Sequence, residues 1–200
     1  MGDFPRGVSN TQPALIPSSD NTHLSDTIST VAYAAPVTAT IFLLNPIWSI
    51  LPGIYAKYFN IELTAIAAVI LFSRLFDGIT DPAIGYLSDR HRSGGGSRKL
   101  WVIVGGVLLV VTSYFLFIPP EVVSQTYFLL CLLSFFFAFT LFEIPHGAWG
   151  AELAVGYHER ARVFSYRTAF VYLGQIGFLV LPFLPVFTSR EYTPETLRIA

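Results

Sequence analysis

Five long runs of apolar residues, broken by short polar stretches, make up most of the chain beyond residue 29. They read as helices over about 30–55, 62–88, 100–118, 124–150 and 163–187. Each is near the ~20 residues that a helix needs to cross a ~30 Å hydrocarbon core. The expected fold is therefore all-α, a polytopic membrane protein with about five transmembrane spans. The first run holds Pro36, Pro46 and Pro52. In a membrane bundle these read as kinks, because neighbouring groups re-satisfy the freed carbonyls. Pro119 and Pro120 close the third run. Residues 1–28 are rich in Ser, Thr, Asn, Asp and Pro and read as a disordered tail. They lack a basic stretch followed by a short apolar segment and a small-residue cleavage site, so no cleaved signal peptide is expected. Residues 189–200 read as an outside loop and the start of a sixth helix, with Thr193, Pro194 and Glu195 ahead of apolar residues in the manner of a capping box. On that reading the chain is expected to be a fragment of a longer protein.

The runs are so uniformly apolar that only their polar residues orient them. One stretch stands out, LFSRLFDGITDPAIGYLSDRHRSGGGSRK over 71–99. It sets Arg74, Asp77 and Asp81 in the second run. At ~100° per residue the two aspartates lie about 40° apart on one helix face, with Arg74 one turn earlier. A charge at mid-membrane costs roughly 2.5–3.5 kcal/mol on insertion scales, so the default reading is function. Thr140 and Glu143 lie in the fourth run and Arg167 in the fifth. At ~1.5 Å per residue, Asp81 and Glu143 lie about 10 Å deep from one side, Asp77 about 16 Å and Arg167 about 6 Å. All of them fall in one slab of the membrane.

Composition agrees with a membrane protein. The chain is 53% hydrophobic and 12% charged, against about 25% charged in soluble domains, and its mean hydropathy is +0.58. Eighteen Phe and ten Tyr fit lipid-facing and interfacial surface. The net charge of −1 implies no class of partner, and no basic tract points to nucleic acid. Cys131 is the single cysteine, so no intrachain disulfide forms, and it reads as a small apolar residue. Lys and Arg set the topology. Arg90, Arg92, Arg98 and Lys99 fall between the second and third runs, and Arg160 and Arg162 between the fourth and fifth. Lys57, Arg190 and Arg198 fall on the other side. The expected location is the cell (inner or plasma) membrane, multi-pass, with the N-terminus cytoplasmic.

Two carboxylates at i and i+4 with hydroxyls such as Thr80 and Thr140 offer hard oxygen donors, which suit alkali or alkaline-earth ions. A carboxylate pair in low dielectric also holds a proton. Asp77 and Asp81 are thus candidate ligands to Na+ or sites for H+. The structural alternative pairs Arg74 with Asp77 and has Asp81 and Pro82 end the deep part of the helix. Glu143, followed by Ile144 and Pro145, either pairs with Arg167 as a structural contact or lines a substrate cavity with it. Trp149 reads first as an interfacial anchor and second as a platform for a sugar ring.

DGITDP (Asp77–Pro82), GYLSDR (Gly85–Arg90) and the basic stretch ending in Lys99 resemble the glycoside–pentoside–hexuronide:cation symporters. Melibiose permease is their best-known member, and they belong to the major facilitator superfamily. EIPHGAWGAEL (Glu143–Leu153) and YHERARVFSYR (Tyr157–Arg167) resemble that family's fourth span and the loop into the fifth. The resemblance implies that Asp77 and Asp81 coordinate the coupling cation with a hydroxyl from Thr140. It implies that Glu143 and Arg167 contact the solute, and that Gly85, Asp89, Arg90, Arg98 and Lys99 belong to a cytoplasmic gate. It implies a Na+- or H+-coupled symporter of a sugar, glycoside or related solute, with no cofactor beyond the coupling ion. Its partners would be the lipid bilayer, the solute and the C-terminal half of the same transporter. The sequence departs from the family at Thr40 and Ile41, where melibiose permease has a Lys–Asp pair, at Thr80, often an amide, and at Gly147, a tryptophan there. Asp77–Gly78 and Gly85–Asp89 also partly resemble the metal-binding aspartates of CDP-alcohol phosphotransferases, but Arg74 and Ser93 stand where two of those aspartates would be. A non-transporting membrane scaffold is the remaining alternative.

Overall fold

A computed structural model describes residues 19–183 except Glu121 and Val155, with the backbone alone for 19–26. The expected tail over 1–18, residues 184–187 of the fifth run and the loop and helix start over 189–200 lie outside the described residues. Six α-helices are found among the described residues: α1 (Ser19–Ser49), α2 (Leu51–Phe59), α3 (Leu63–Ser93), α4 (Arg98–Phe117), α5 (Gln125–Leu153) and α6 (Tyr157–Val180), with a 3-10 turn at Leu181–Phe183. No strand is found among them. Five stretches are long and apolar enough to cross a membrane: Thr27–Ser49, Leu63–Ser93, Arg98–Phe117, Gln125–Leu153 and Tyr157–Phe183.

The helix ends differ from the sequence expectation in informative ways. Residues 19–28, expected in a disordered tail, are the first turns of α1. A polar stretch can continue a helix that an apolar run begins, because helix formation does not require apolar side chains. The first run is two helices. Pro36 and Pro46 lie inside α1, whereas Pro52 sits in the first turn of α2, where a missing N–H costs nothing. Asp89, Arg90 and Arg92, expected in a loop, occupy the last turns of α3, and Arg98 and Lys99 the first turn of α4. The turn between them is tight because the N–H groups of Gly94, Gly95 and Gly96 donate back to the carbonyls of Arg90, Arg92 and His91. Ser97 then caps α4 by accepting from the Lys99 N–H at 3.3 Å. Arg160 and Arg162 likewise lie on α6.

α5 is the centre of the bundle. It packs against α4 and α3 most extensively and touches α6, while α6 packs chiefly on α1. Between helices in lipid there is little hydrophobic driving force, so close backbone approach through small residues carries the association. A Cβ on Gly105 would sit 2.5 Å from the Phe142 backbone N, and one on Gly174 would sit 2.6 Å from the Thr38 carbonyl oxygen. The α1–α6 contact is tied further by the Thr38 hydroxyl, which donates to Phe170 O at 3.1 Å. Away from the α3–α4 turn, Ile47, Tyr55, Leu116, Phe128, Leu132 and Phe135 fill the main apolar core. The Tyr55 hydroxyl is satisfied there by Leu116 O at 2.7 Å.

Gly105→Val is expected to wedge α4 from α5 against unyielding backbone. The destabilisation should reach the upper part of the ~1–3 kcal/mol range for overpacking. It is read as a lower thermal-unfolding midpoint in detergent, with Gly53→Val, which meets nothing within 4 Å, as the control.

Candidate functional site

α1, α3 and α5 line an open cavity of about 120 Å³. α1 contributes Leu44 and Trp48; α3 contributes Arg74, Asp77 and Asp81; α5 contributes Phe136, Phe139, Thr140, Glu143 and Ile144. The helical repeat explains the set, because residues three and four apart share a face. Positions 74, 77 and 81 on α3 and 136, 140 and 143 on α5 each form such a stripe.

Thr140 Oγ1 donates to Asp81 Oδ1 at 2.8 Å, so a hydroxyl from α5 meets a carboxylate from α3. Arg74 Nη1 lies 3.1 Å from Asp77 Oδ2. The Arg74 guanidinium also rests on the rings of Phe136 at 3.9 Å and Trp48 at 4.5 Å. Glu143 Oε1 accepts from Arg167 Nη2, which joins α5 to α6. Three atoms of this set are buried with no hydrogen-bond partner on the protein: Asp77 Oδ1, Glu143 Oε2 and Arg167 Nε. An unsatisfied buried polar atom costs ~1–3 kcal/mol, and more when charged. Two carboxylate oxygens left open in this way, both from residues that line the same cavity, are suited to a cation, a proton or a hydroxylated solute. Among the described residues, no group of three or more His, Cys, Asp and Glu is set to hold a metal ion. The oxygen-bearing side chains that line the cavity are the carboxylates of Asp77, Asp81 and Glu143 and the Thr140 hydroxyl.

Two expected members sit elsewhere. The Thr80 hydroxyl donates to Phe76 O at 3.1 Å on its own helix and does not line the cavity. At ~100° per residue it is rotated away from Asp81, and a threonine in an apolar helix satisfies itself on the carbonyl one turn back. Trp149 also lies outside the cavity. It packs edge-on against Tyr33 at 5.6 Å and His146 at 6.1 Å, beneath the Lys99 ammonium at 5.4 Å from its ring centroid.

At the α3–α4 turn a second polar cluster forms. Arg98 lies 2.8 Å from Asp89 Oδ1 and 2.7 Å from Glu152 Oε1, and donates to the Ser88 hydroxyl at 3.1 Å. Arg92 Nε lies 3.1 Å from Glu152 Oε2. Asp89 and Arg98 are thus brought together, whereas Arg90 reaches only the Tyr86 hydroxyl at 3.5 Å and Lys99 covers Trp149. Gly85 lies where α3 faces α5, and a Cβ there would meet Ile144 at 3.7 Å.

Sequence reasoning left four residues without a role. Trp48 lines the cavity, and Glu152 bridges two arginines. Tyr33 and His146 lock α1 to α5 through a reciprocal pair, His146 Nε2 with Tyr33 O at 2.9 Å and Tyr33 Oη to His146 O at 3.2 Å. The His146 ring is fully buried and stacks on Tyr33 at 4.4 Å and Phe142 at 5.0 Å. Glu152 was the most findable of these, as an acid at the end of an apolar run. An aromatic residue within an apolar run carries no comparable signal.

The family model of MFS/sugar transport proteins matches residues 32–199. The "Uncharacterized symporter sll1374" of Synechocystis sp. is 33% identical over 141 residues, which are 64% of this chain and 26% of that protein. The chain thus spans about a quarter of the length of that relative. No solved structure matches the chain. Matched over most of its length and built of membrane-crossing helices, the chain belongs to the MFS/sugar transport family and is a multi-pass membrane protein.

Proposed function

We propose that this chain carries the cation site and part of the solute site of a secondary active transporter, one that couples entry of Na+ or H+ to symport of a sugar, glycoside or related solute. The observation that carries the reading is the α3–α5 junction. Thr140 fixes one oxygen of Asp81, and Asp77 leaves Oδ1 buried and unpaired at the same cavity. A monovalent cation there meets hard oxygen donors at modest charge density, which permits release as well as binding. Glu143 and Arg167 lie beside it as a charged pair able to accept from and donate to solute hydroxyls. Trp48 adds an aromatic wall.

In this reading the basic turn between α3 and α4 faces the cytoplasm, a side supported by the arginine and lysine distribution, and the N-terminus lies on that side. The Asp89–Arg98–Glu152–Arg92 cluster then serves as a cytoplasmic gate that opens when one half of the transporter rocks against the other. The family resemblance implies about twelve spans in two such halves, with solute held between them. The symporter named among the relatives supports coupled transport over the enzyme and scaffold alternatives.

Uptake of a panel of neutral and acidic sugars and glycosides by vesicles carrying the protein tests this, under an imposed Na+ or H+ gradient. Gradient-driven accumulation of one of them is the expected result. Equal uptake with and without either gradient would remove the coupling. Thr140→Val is expected to weaken cation activation about tenfold, the loss of one charged hydrogen bond at ~1.4 kcal/mol per decade. Thr140→Ser, which keeps the hydroxyl, should stay near wild type.

A further inference from the structure

His91 and Trp101 tie the end of α3 to the start of α4. The indole Nε1–H of Trp101 donates to His91 Nδ1 at 2.9 Å. Indole nitrogen only donates, so Nδ1 carries no proton in this contact and the neutral ring keeps its proton on Nε2. The connecting turn closes over the same ring. Gly96 N–H donates to His91 O at 2.9 Å, and a Cβ on Gly96 would overlap the imidazole.

The charged groups at this end of the α3–α4 hairpin and in the cluster beside it come from three helices. Asp89, Arg90 and Arg92 share its own helix, Arg98 and Lys99 begin α4, and Glu152 reaches across from α5. The turn residues 94–97 carry no charge. Four cationic side chains therefore stand against two carboxylates before His91 takes up a proton.

We propose that the His91–Trp101 pair is a pH-sensitive latch on the α3–α4 hairpin, closed while His91 is neutral and released when it is protonated. Protonation places an N–H on Nδ1 directly against the indole N–H, which turns an attraction into a repulsion. It also adds positive charge to a cluster that already has a surplus. A ring protonated at Nδ1 cannot accept from the indole, so the latch is held on the alkaline side and lost as pH falls. Release frees the first turn of α4, where Arg98 engages Asp89 and Glu152, so acidification loosens that cluster. The latch lies outside the Asp77–Asp81 cavity and does not depend on which cation that cavity takes.

Fluorine NMR of the fluorotryptophan-labelled protein in lipid nanodiscs tests it. The chain has three tryptophans, and Trp101→Phe identifies the relevant signal. The Trp101 signal should move on acidification in the wild type. It should stay fixed in His91→Gln, whose amide oxygen can accept the indole proton at any pH. Hydrogen exchange of residues 94–97, corrected for its intrinsic pH dependence, should rise about fivefold on acidification, as expected for one lost hydrogen bond. Trp101→Phe should show the faster exchange already at neutral pH. A Trp101 signal that does not move, one that moves equally in His91→Gln, or exchange unaltered by Trp101→Phe would overturn the latch.

Discussion

Replacing Asp77 with asparagine is expected to remove cation-stimulated uptake while leaving the protein in the membrane. Asp77 Oδ2 is engaged by Arg74, and its Oδ1 is the buried, unpaired oxygen of the cavity. Asparagine keeps the shape and one acceptor but loses the charge that compensates a desolvated cation. Truncating one partner of a buried charge contact costs ~2–5 kcal/mol. The cation dependence should therefore weaken by at least about 100-fold, close to 2.7 kcal/mol. Folding should suffer less, because Arg74 is 43% exposed and rests on Trp48 and Phe136. Cation activation curves and membrane levels measured on the same vesicles separate the two effects. An unchanged activation curve in a well-expressed Asp77→Asn would exclude Asp77 as a ligand.

Glu143→Gln is expected to divide solute from cation. The amide can still accept from Arg167, but it leaves the arginine as an unbalanced charge, 19% exposed in the wild type. A solute hydroxyl that donates to the open Glu143 oxygen loses a charged acceptor, so solute affinity should fall about 10- to 100-fold, or ~1.4–2.7 kcal/mol. Cation affinity measured without solute should change by less than about threefold, a difference under ~0.7 kcal/mol, because Asp81 and Thr140 keep their own contact. Unchanged solute affinity would assign Glu143 to structure alone, as the partner that holds α5 to α6.

The membrane made most of the fold legible. A helix in lipid must satisfy its backbone internally and present apolar side chains, so the five runs were readable as uniform hydrophobicity. Their ends were not. Asp89–Ser93 and Arg98–Lys99 are polar because they leave the hydrocarbon, not because they leave the helix. Pro52 looked like Pro36 and Pro46 in sequence, and only its place after Ile50 makes it a helix start.

The same logic divides the site. Asp77, Asp81, Glu143 and Arg167 stood out as candidates because charge is costly in hydrocarbon and hence rare there. Thr140 followed from its spacing to Glu143. Thr80 was misplaced because nearness in sequence to Asp81 is not nearness in space. Its hydroxyl is spent on Phe76 O. Trp48, Tyr33 and His146 were silent because an aromatic ring in an apolar run has the same local pattern whether it lines a cavity, locks two helices or meets lipid.

The assignment of α3 and α5 as a coupling site turns on one recording. Solute-driven entry of Na+ and of H+ would be followed together in proteoliposomes carrying wild type or Asp81→Asn. The wild type is expected to draw in one of the two cations when solute is added, and Asp81→Asn to draw in neither. Cation entry that persists in Asp81→Asn at the wild-type ratio to solute would contradict a cation site built on Asp77, Asp81 and Thr140.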